Sequence, residues 1–260
     1  MIPSDPKKCR ISAVLNTFNA EEHLERVLTA LKSFDEIVVC DMYSEDRTVE
    51  IAGRFGAKVV YHERCSICEP ARNTAIRAAE NEWVLVVDAD EIVPDELRRY
   101  LYDLIRHEDA PDALRLPRKN YFLHRFMRSL YPDYVLRFAR RDAIDWPATI
   151  HAQPVIDGRT DTLPQERMDL ALIHLADSRI STHLRKANLY TDKELERRGA
   201  RKYGYAALLL KPFARFFHTF IQKRGYRDGK AGFIWACLNA YYKFMTLVKQ
   251  EEKYRHENRL

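Results

Sequence analysis

The sequence predicts an α/β protein: a mostly parallel sheet with helices on both faces, followed by a helical C-terminal extension. Three observations predict it. Between residues 11 and 106, short β-rich apolar runs alternate with stretches of helical period. Each run ends in polar residues, as strands do at the ligand edge of an open parallel sheet. From Ser181 onward the period is helical, punctuated by Gly204 and by the segment between Gly225 and Gly229.

Ile11 to Thr17 reads as the first strand. Leu24, Val27, Leu28 and Leu31 then keep a helical period, with Asn19 as the expected cap and Glu22 three residues on. Glu36 to Cys40 is the second strand, closed by Asp41, and a polar loop leads to a helix from Val49 to Phe55, stopped by Gly56. Lys58 to Tyr61 is a short third strand. A helix from about Pro70 to Ala79 carries its proline in the first turn, where it is tolerated. Trp83 to Val87 has the continuous apolar character of a buried parallel strand. It ends abruptly in Asp88, Ala89, Asp90 and Glu91, and a helix follows from Asp95 to Arg106.

That acidic turn is the centre of the functional reading. Asp88 and Asp90 are two apart, so on an extended chain they point the same way. Paired carboxylates at a strand end can hold a hard divalent cation, and the cation can hold phosphate oxygens. Gly53 and Gly56 are the only glycines before Gly158, which excludes both a dinucleotide fingerprint and a P-loop. A nucleotide bound here needs a metal to shield its diphosphate.

Beyond residue 106 the alternation changes. Residues 113–117, 134–139 and 150–155 read as strands around a basic, aromatic stretch at 118–131. His174, in an apolar run, reads as a satisfied core residue. Residues 178–260 hold 19 Lys/Arg against 7 Asp/Glu, a net of +12 in a chain whose total is +5. The expected organisation is therefore a catalytic domain over 1–177 and a basic, aromatic helical extension over 178–260. Tyr205 to Arg224 sets Leu208, Leu209, Leu210, Phe213, Phe216, Phe217, Phe220 and Ile221 beside Lys211, Arg215, Lys223 and Arg224, as a basic amphipathic helix at an anionic membrane surface would. Packing on the catalytic domain is the alternative. No recognisable nucleic-acid module is present, so no nucleic-acid partner is expected.

Five cysteines do not read as a disulfide framework, and Cys65 and Cys68 lack the second pair that a zinc site needs. The N-terminal residues have no apolar segment of the signal-peptide kind, and no stretch reaches the ~20 apolar residues of a membrane span. The expectation is a cytoplasmic protein, peripheral on the inner face of the membrane.

Four motifs in order carry a family resemblance: Thr17-Phe-Asn-Ala-Glu-Glu, Val38-Val-Cys-Asp41 with Ser44 and Asp46-Arg-Thr, Pro70-Ala-Arg72-Asn73, and Asp88-Ala-Asp90-Glu91. They resemble the family 2 glycosyltransferases, whose GT-A fold is Rossmann-like. Arg118-Lys-Asn-Tyr-Phe-Leu, Tyr131-Pro-Asp-Tyr, Leu136-Arg-Phe-Ala-Arg-Arg, Ile150-His151 and the tail from Lys211-Pro-Phe look like the bacterial lipopolysaccharide-core β-glucosyltransferase type.

The resemblance implies an inverting transferase that moves a hexose from a UDP-linked or similar nucleotide-diphosphate sugar to a hydroxyl of a core glycan or glycolipid. Alternatives are a peptide or other-glycan transferase on the same fold, or a binding protein that has lost catalysis. It implies that Thr17, Asn19, Glu21, Asp41, Arg72 and Asp88 line the nucleotide and that Asp88 and Asp90 hold Mg²⁺ or Mn²⁺. Two departures stand out. Ala20 separates Asn19 from Glu21, and His151 is followed by Ala152 where the subgroup has Glu. The general base is then one of His151, Asp145 and Asp133.

Overall fold

Alternate residues of a strand face opposite sides of its sheet, and the first strand shows it: Ile11, Ala13 and Leu15 belong to one buried cluster, Val14 to another. The computed structural model describes residues 9–64, 69–147, 153–175 and 179–258. His151, Cys65, Cys68 and the first half of the strand expected over 150–155 lie outside those residues. The chain divides into two units. One comprises residues up to Lys119 with Pro132–Leu175, the other Asn120–Tyr131 with the chain beyond Leu175.

In the first unit, β1 (Ile11–Thr17), β2 (Glu36–Asp41), β3 (Lys58–Tyr61) and β4 (Trp83–Asp88) lie parallel in the order β3-β2-β1-β4. Their register sets Thr17 beside Asp41 and Asn16 beside Asp88, so the polar strand ends share one edge. Helix α1 (Glu21–Leu31) buries Leu24, Val27, Leu28 and Leu31 in the cluster of Ile11 and Leu15. Each such side chain contributes roughly 1.5–3 kcal/mol. Helix α2 (Thr48–Arg54) buries Ile51 and Ala52 in the same cluster. Helix α3 (Glu69–Ala78) buries Ala71, Ala75 and Ile76 with Val14, Val84 and Val86 on the opposite face. Helix α4 (Asp95–Leu104) returns Leu97 and Leu101 to the first face.

The cap expected at Asn19 is not made. Ala20 occupies the N-cap without a side-chain bond, and Asn19 adopts a left-handed φ of 47°. Its Oδ1 accepts the Glu45 N–H at 2.8 Å, because the turn after β2 offers an orphan donor across the edge.

The later strands β5 (Glu91–Ile92), β6 (Ala113–Phe122), β7 (Arg125–Phe126), β8 (Asp133–Arg140), β11 (Thr160–Thr162) and β12 (Leu172–His174) complete the sheet, while β9 (Ile144–Asp145) and β10 (Val155–Ile156) pair as a separate two-stranded ribbon. Strand β8 runs antiparallel to both β4 and β6, and β12 pairs antiparallel with β5. Trp83 of β4 stacks on Phe138 of β8 with centroids 5.0 Å apart, fixing this junction of parallel and antiparallel halves.

In the second unit the end of β6 forms a hairpin with β7, turning through Leu123 and His124 at left-handed φ. Helices α5 (Ile180–Arg198), α6 (Tyr205–Phe217) and α7 (Gly229–Glu257) follow. Helix α6 carries Pro212 and passes into a π-helical turn at His218–Gln222, short of the Arg224 end expected from the apolar pattern. No helix among the described residues is long and apolar enough to cross a membrane.

Candidate active site

The turn after β1 and the turn after β2 are laced together. Thr17 Oγ1 donates to Asp41 Oδ1 at 2.7 Å, and the Ser44 N–H and hydroxyl also donate to Asp41. The Asn19 N–H reaches Ser44 Oγ, the Ala20 N–H reaches Thr48 Oγ1, and the Glu21 N–H reaches Asp46 Oδ2. Glu21 Oε2 in turn accepts from the Arg47 backbone and guanidinium at 3.2 Å. Thr17, Asn19, Glu21 and Asp41 therefore meet in one hydrogen-bonded cradle. Beside it, Tyr43 and Tyr61 stack at 5.4 Å while exposed. Asn16 Nδ2 and Arg72 Nε are buried donors with no acceptor among the described residues. Buried N–H groups are normally satisfied, so such orphaned donors suit acceptor oxygens from a ligand.

The acidic turn splits three ways. The backbone turns at Ala89–Asp90, so the extended stretch expected to point Asp88 and Asp90 the same way is not kept. Asp88 accepts Arg72 Nη2 at 2.7 Å on one oxygen and Arg137 on the other. Burial opposes its charge, but Arg137 and then Arg72 prevail and hold the carboxyl at about 2. Asp90 faces His174, with Nε2 3.3 Å from Oδ2 and 39% of its side chain exposed. Burial again opposes, and the His174 hydrogen bond holds Asp90 below the usual carboxylate range. Glu91, fully buried, turns back into the sheet and accepts the Asp88 N–H at 3.1 Å.

Glu91 belongs to a ladder of alternating charge. Arg118 donates to Asp133 at 2.7 Å and to Glu91 at 2.8 Å, and Arg137 bridges Glu91 to Asp88. The run is Asp133, Arg118, Glu91, Arg137, Asp88, Arg72, three carboxylates matched by three guanidiniums. Arg137 is only 4% exposed, and against the cost of desolvation its carboxylate neighbours push its pKa up. Asp133 thus lies at the far end of the ladder from Asp88. Asp145 sits on the other flank: Asn73 holds it at 3.1 Å and Arg77 at 3.4 Å. Asn73 also clasps Trp146 through both amide atoms, and the Arg72 guanidinium lies over that indole at 4.9 Å.

The sequence profile described as Glycosyl transferase family 2 matches residues 12–153, more than half of the chain. The chain belongs to that family. An uncharacterized glycosyltransferase from Rickettsia bellii is 26% identical over 256 residues, covering 94% of this chain and 86% of its own. A lipopolysaccharide core biosynthesis glycosyltransferase, LpsC, from Rhizobium meliloti is 24% identical, covering 96% of this chain and 93% of its own. Among solved structures, a mannosyltransferase from Pyrobaculum calidifontis in complex with GDP-Man and Mn²⁺ superposes with a TM-score of 0.55. It is 18% identical and covers 93% of this chain and 86% of its own. The fold is GT-A.

Two features of this family 2 protein were not legible beforehand. His174 is not a core histidine: it is the partner of Asp90, 84 residues away in sequence. The Arg137 and Glu91 pair forms the centre of the ladder, and the available signal was a lone arginine inside the buried run Leu136–Ala139. Among the described residues no group of three or more His, Cys, Asp or Glu side chains gathers as a metal site.

Proposed function

We propose that the protein is an inverting glycosyltransferase that moves a hexose from a UDP-linked donor to a hydroxyl of a lipopolysaccharide-core or other cell-envelope glycan. The acceptor class is supported by the likeness to LpsC, and a nucleotide-sugar donor with a divalent cation by the GDP-Man and Mn²⁺ of the superposed mannosyltransferase. The observation that carries the reading is the pairing of Asp90 with His174 at the carboxyl end of β4.

A carboxylate oxygen and an imidazole nitrogen are a donor set that suits Mn²⁺ and accepts Mg²⁺ through the oxygen. Asp90 and His174 would hold the ion, which when bound offsets the charge developing on the diphosphate leaving group. Asp88, with both oxygens engaged by arginines, serves as the fixed post that orients Arg72 and Arg137. Thr17, Asn19, Glu21 and Asp41 frame the base and ribose, and Asn16 and Arg72 present donors to acceptor oxygens. One of Asp133, Asp145 and His151 takes the proton of the acceptor hydroxyl as it attacks the anomeric carbon, worth roughly 10²–10⁴-fold. The apolar, cation-flanked exposed face of α6 holds the enzyme at an anionic membrane surface near its acceptor.

The test is a thermal-shift titration with UDP, GDP and UDP-glucose, with and without Mn²⁺, on the wild type, Asp90→Asn and His174→Ala. A stabilisation that needs Mn²⁺ and disappears in both variants is expected. An equal shift without metal, or near-normal turnover by Asp90→Asn, refutes the metal assignment. Transfer in a single turnover distinguishes an enzyme from a binding protein.

A further inference from the structure

The second unit contains a polar cavity of about 210 Å³ that the reaction above does not use. Arg128, Lys223, Arg224 and Arg227 line it, together with Ser129 and Tyr131. None of the four cations has an ion pair among the described residues. The surrounding backbone is built to hold them there. A π-helical turn at 218–222 gives way to Arg224 in the left-handed region at φ 57°. Non-glycine residues adopt that conformation at a cost and mostly where the surroundings impose it. Gly225 follows because a Cβ there would lie 2.9 Å from the Thr219 carbonyl oxygen, and Gly232 of α7 leaves no room for a side chain against the Gly225 carbonyl. Asp228, fully buried, accepts the Arg128 and Ser129 N–H groups at 2.9 and 3.0 Å and the Ser129 hydroxyl. The Asp228 carboxylate is therefore spent on the backbone that carries Arg128.

Four cations around one small polar cavity, none of them ion-paired among the described residues, call for a compact dianion. A phosphomonoester carries close to two charges at neutral pH and offers three acceptor oxygens, which guanidinium forks match. A phosphodiester carries one charge and two free oxygens. The cavity also continues an apolar surface: Leu209, Phe213 and Phe217 of α6 and Ile221 of the π-helical turn recur every four residues, all exposed, and Ile221 directly precedes the cavity residues Gln222 and Lys223. Apolar insertion next to cation-bound phosphate is the pattern of a helix lying in a membrane interface.

We propose that this cavity is a phosphate-binding site that takes the phosphomonoester headgroup of an anionic lipid. The site itself stands on the cavity alone; only the lipid source rests on the membrane reading given above.

The full chain would be tested with inorganic phosphate by thermal shift, and with phosphatidylcholine vesicles containing phosphatidic acid or phosphatidylglycerol by co-sedimentation. The cavity variant is Lys223→Gln with Arg227→Gln. A control of equal charge loss is Arg185→Gln with Lys202→Gln, elsewhere in the same unit. Removing two phosphate-facing cations should weaken binding to phosphatidic acid vesicles roughly 30-fold, taking about a factor of five per cation. Phosphatidylglycerol vesicles should bind more weakly and respond less. The cavity variant should lose the phosphate shift, and the control should keep both.

No phosphate shift in the wild type, or equal losses in cavity and control variants, overturns the site in favour of diffuse charge. A phosphate shift that depends on the cavity, with vesicle binding unchanged in the cavity variant, overturns the lipid source and assigns the site to a soluble phosphorylated glycan. Wild-type protein that ignores every vesicle defeats the membrane reading separately.

Discussion

Replacing Arg137 with methionine would remove the guanidinium at the middle of the charge ladder while keeping an unbranched side chain of similar reach. Glu91 is fully buried and would keep only Arg118 at 2.8 Å; Asp88 would keep only Arg72 at 2.7 Å. Stripping one partner from a buried pair costs about 3–5 kcal/mol, chiefly because a carboxylate is left uncompensated. Each carboxylate here retains a second arginine, so the lower figure applies: about 3 kcal/mol at neutral pH. Urea denaturation followed through Trp83 and Trp146 fluorescence reads it. A second substitution separates the charge effect from lost packing. Glu91→Gln in the Arg137→Met background removes the excess carboxylate and should return roughly 1 kcal/mol, whereas in the wild type it destabilises. An Arg137→Met protein within about 0.5 kcal/mol of the wild type, or strict additivity of the two changes, would refute the ladder as a coupled unit.

Three further outcomes follow from local geometry. Asp46→Ala removes the acceptor for the Thr48 and Glu21 N–H groups and should cost about 1 kcal/mol, as lost helix caps do. Desolvation opposes the Asp46 charge, but hydrogen bonds from Thr48 and the Glu21 N–H together outweigh it and lower the pKa, so its stabilisation is complete above the ordinary carboxylate range and fades as pH falls through it. The difference between wild type and Asp46→Ala, measured by urea denaturation, should therefore shrink below about pH 4. The Cys40 thiol, pushed up to about 11 by burial and then by Asp41, should resist iodoacetamide at pH 8 until the protein unfolds, while exposed Cys237 reacts at once; peptide mass mapping reads both. Gly232→Ala drives a methyl into the Gly225 carbonyl and should cost about 1–3 kcal/mol, seen as a lower melting temperature.

The parallel half of the sheet was legible because its signals are local. Trp83–Val87 is continuous and apolar because it is covered on both faces, and Leu24, Val27, Leu28 and Leu31 keep the helical period that buries them. What could not be read there was partnership at long separation. Glu91 looked like a third carboxylate of a solvated turn, yet its partners Arg118 and Arg137 lie 27 and 46 residues on. His174 sat in an apolar run and could not announce Asp90. Asn19 failed as a cap for the same reason: an acceptor side chain beside a strand end chose a donor on the neighbouring turn over one on its own helix. The cradle residues Thr17 and Asp41 were easier, since strands in register bring their ends together whatever the side chains do.

The second unit is not a tail. It takes residues 120–131 from the middle of the sequence as well as everything after Leu175. Those twelve residues are not ornament: Phe122 packs edge-on against Trp235, and the Arg128 and Ser129 amides are what keep buried Asp228 satisfied. A fragment beginning near residue 178 would therefore carry a hole in its core and an orphaned carboxylate beside it. The strand β6, begun in one unit and finished in the other, makes the two inseparable by any single cut. Swapping C-terminal segments between relatives of this protein would transfer half of a structure, and a chimaera that works must exchange the central hairpin along with the helices.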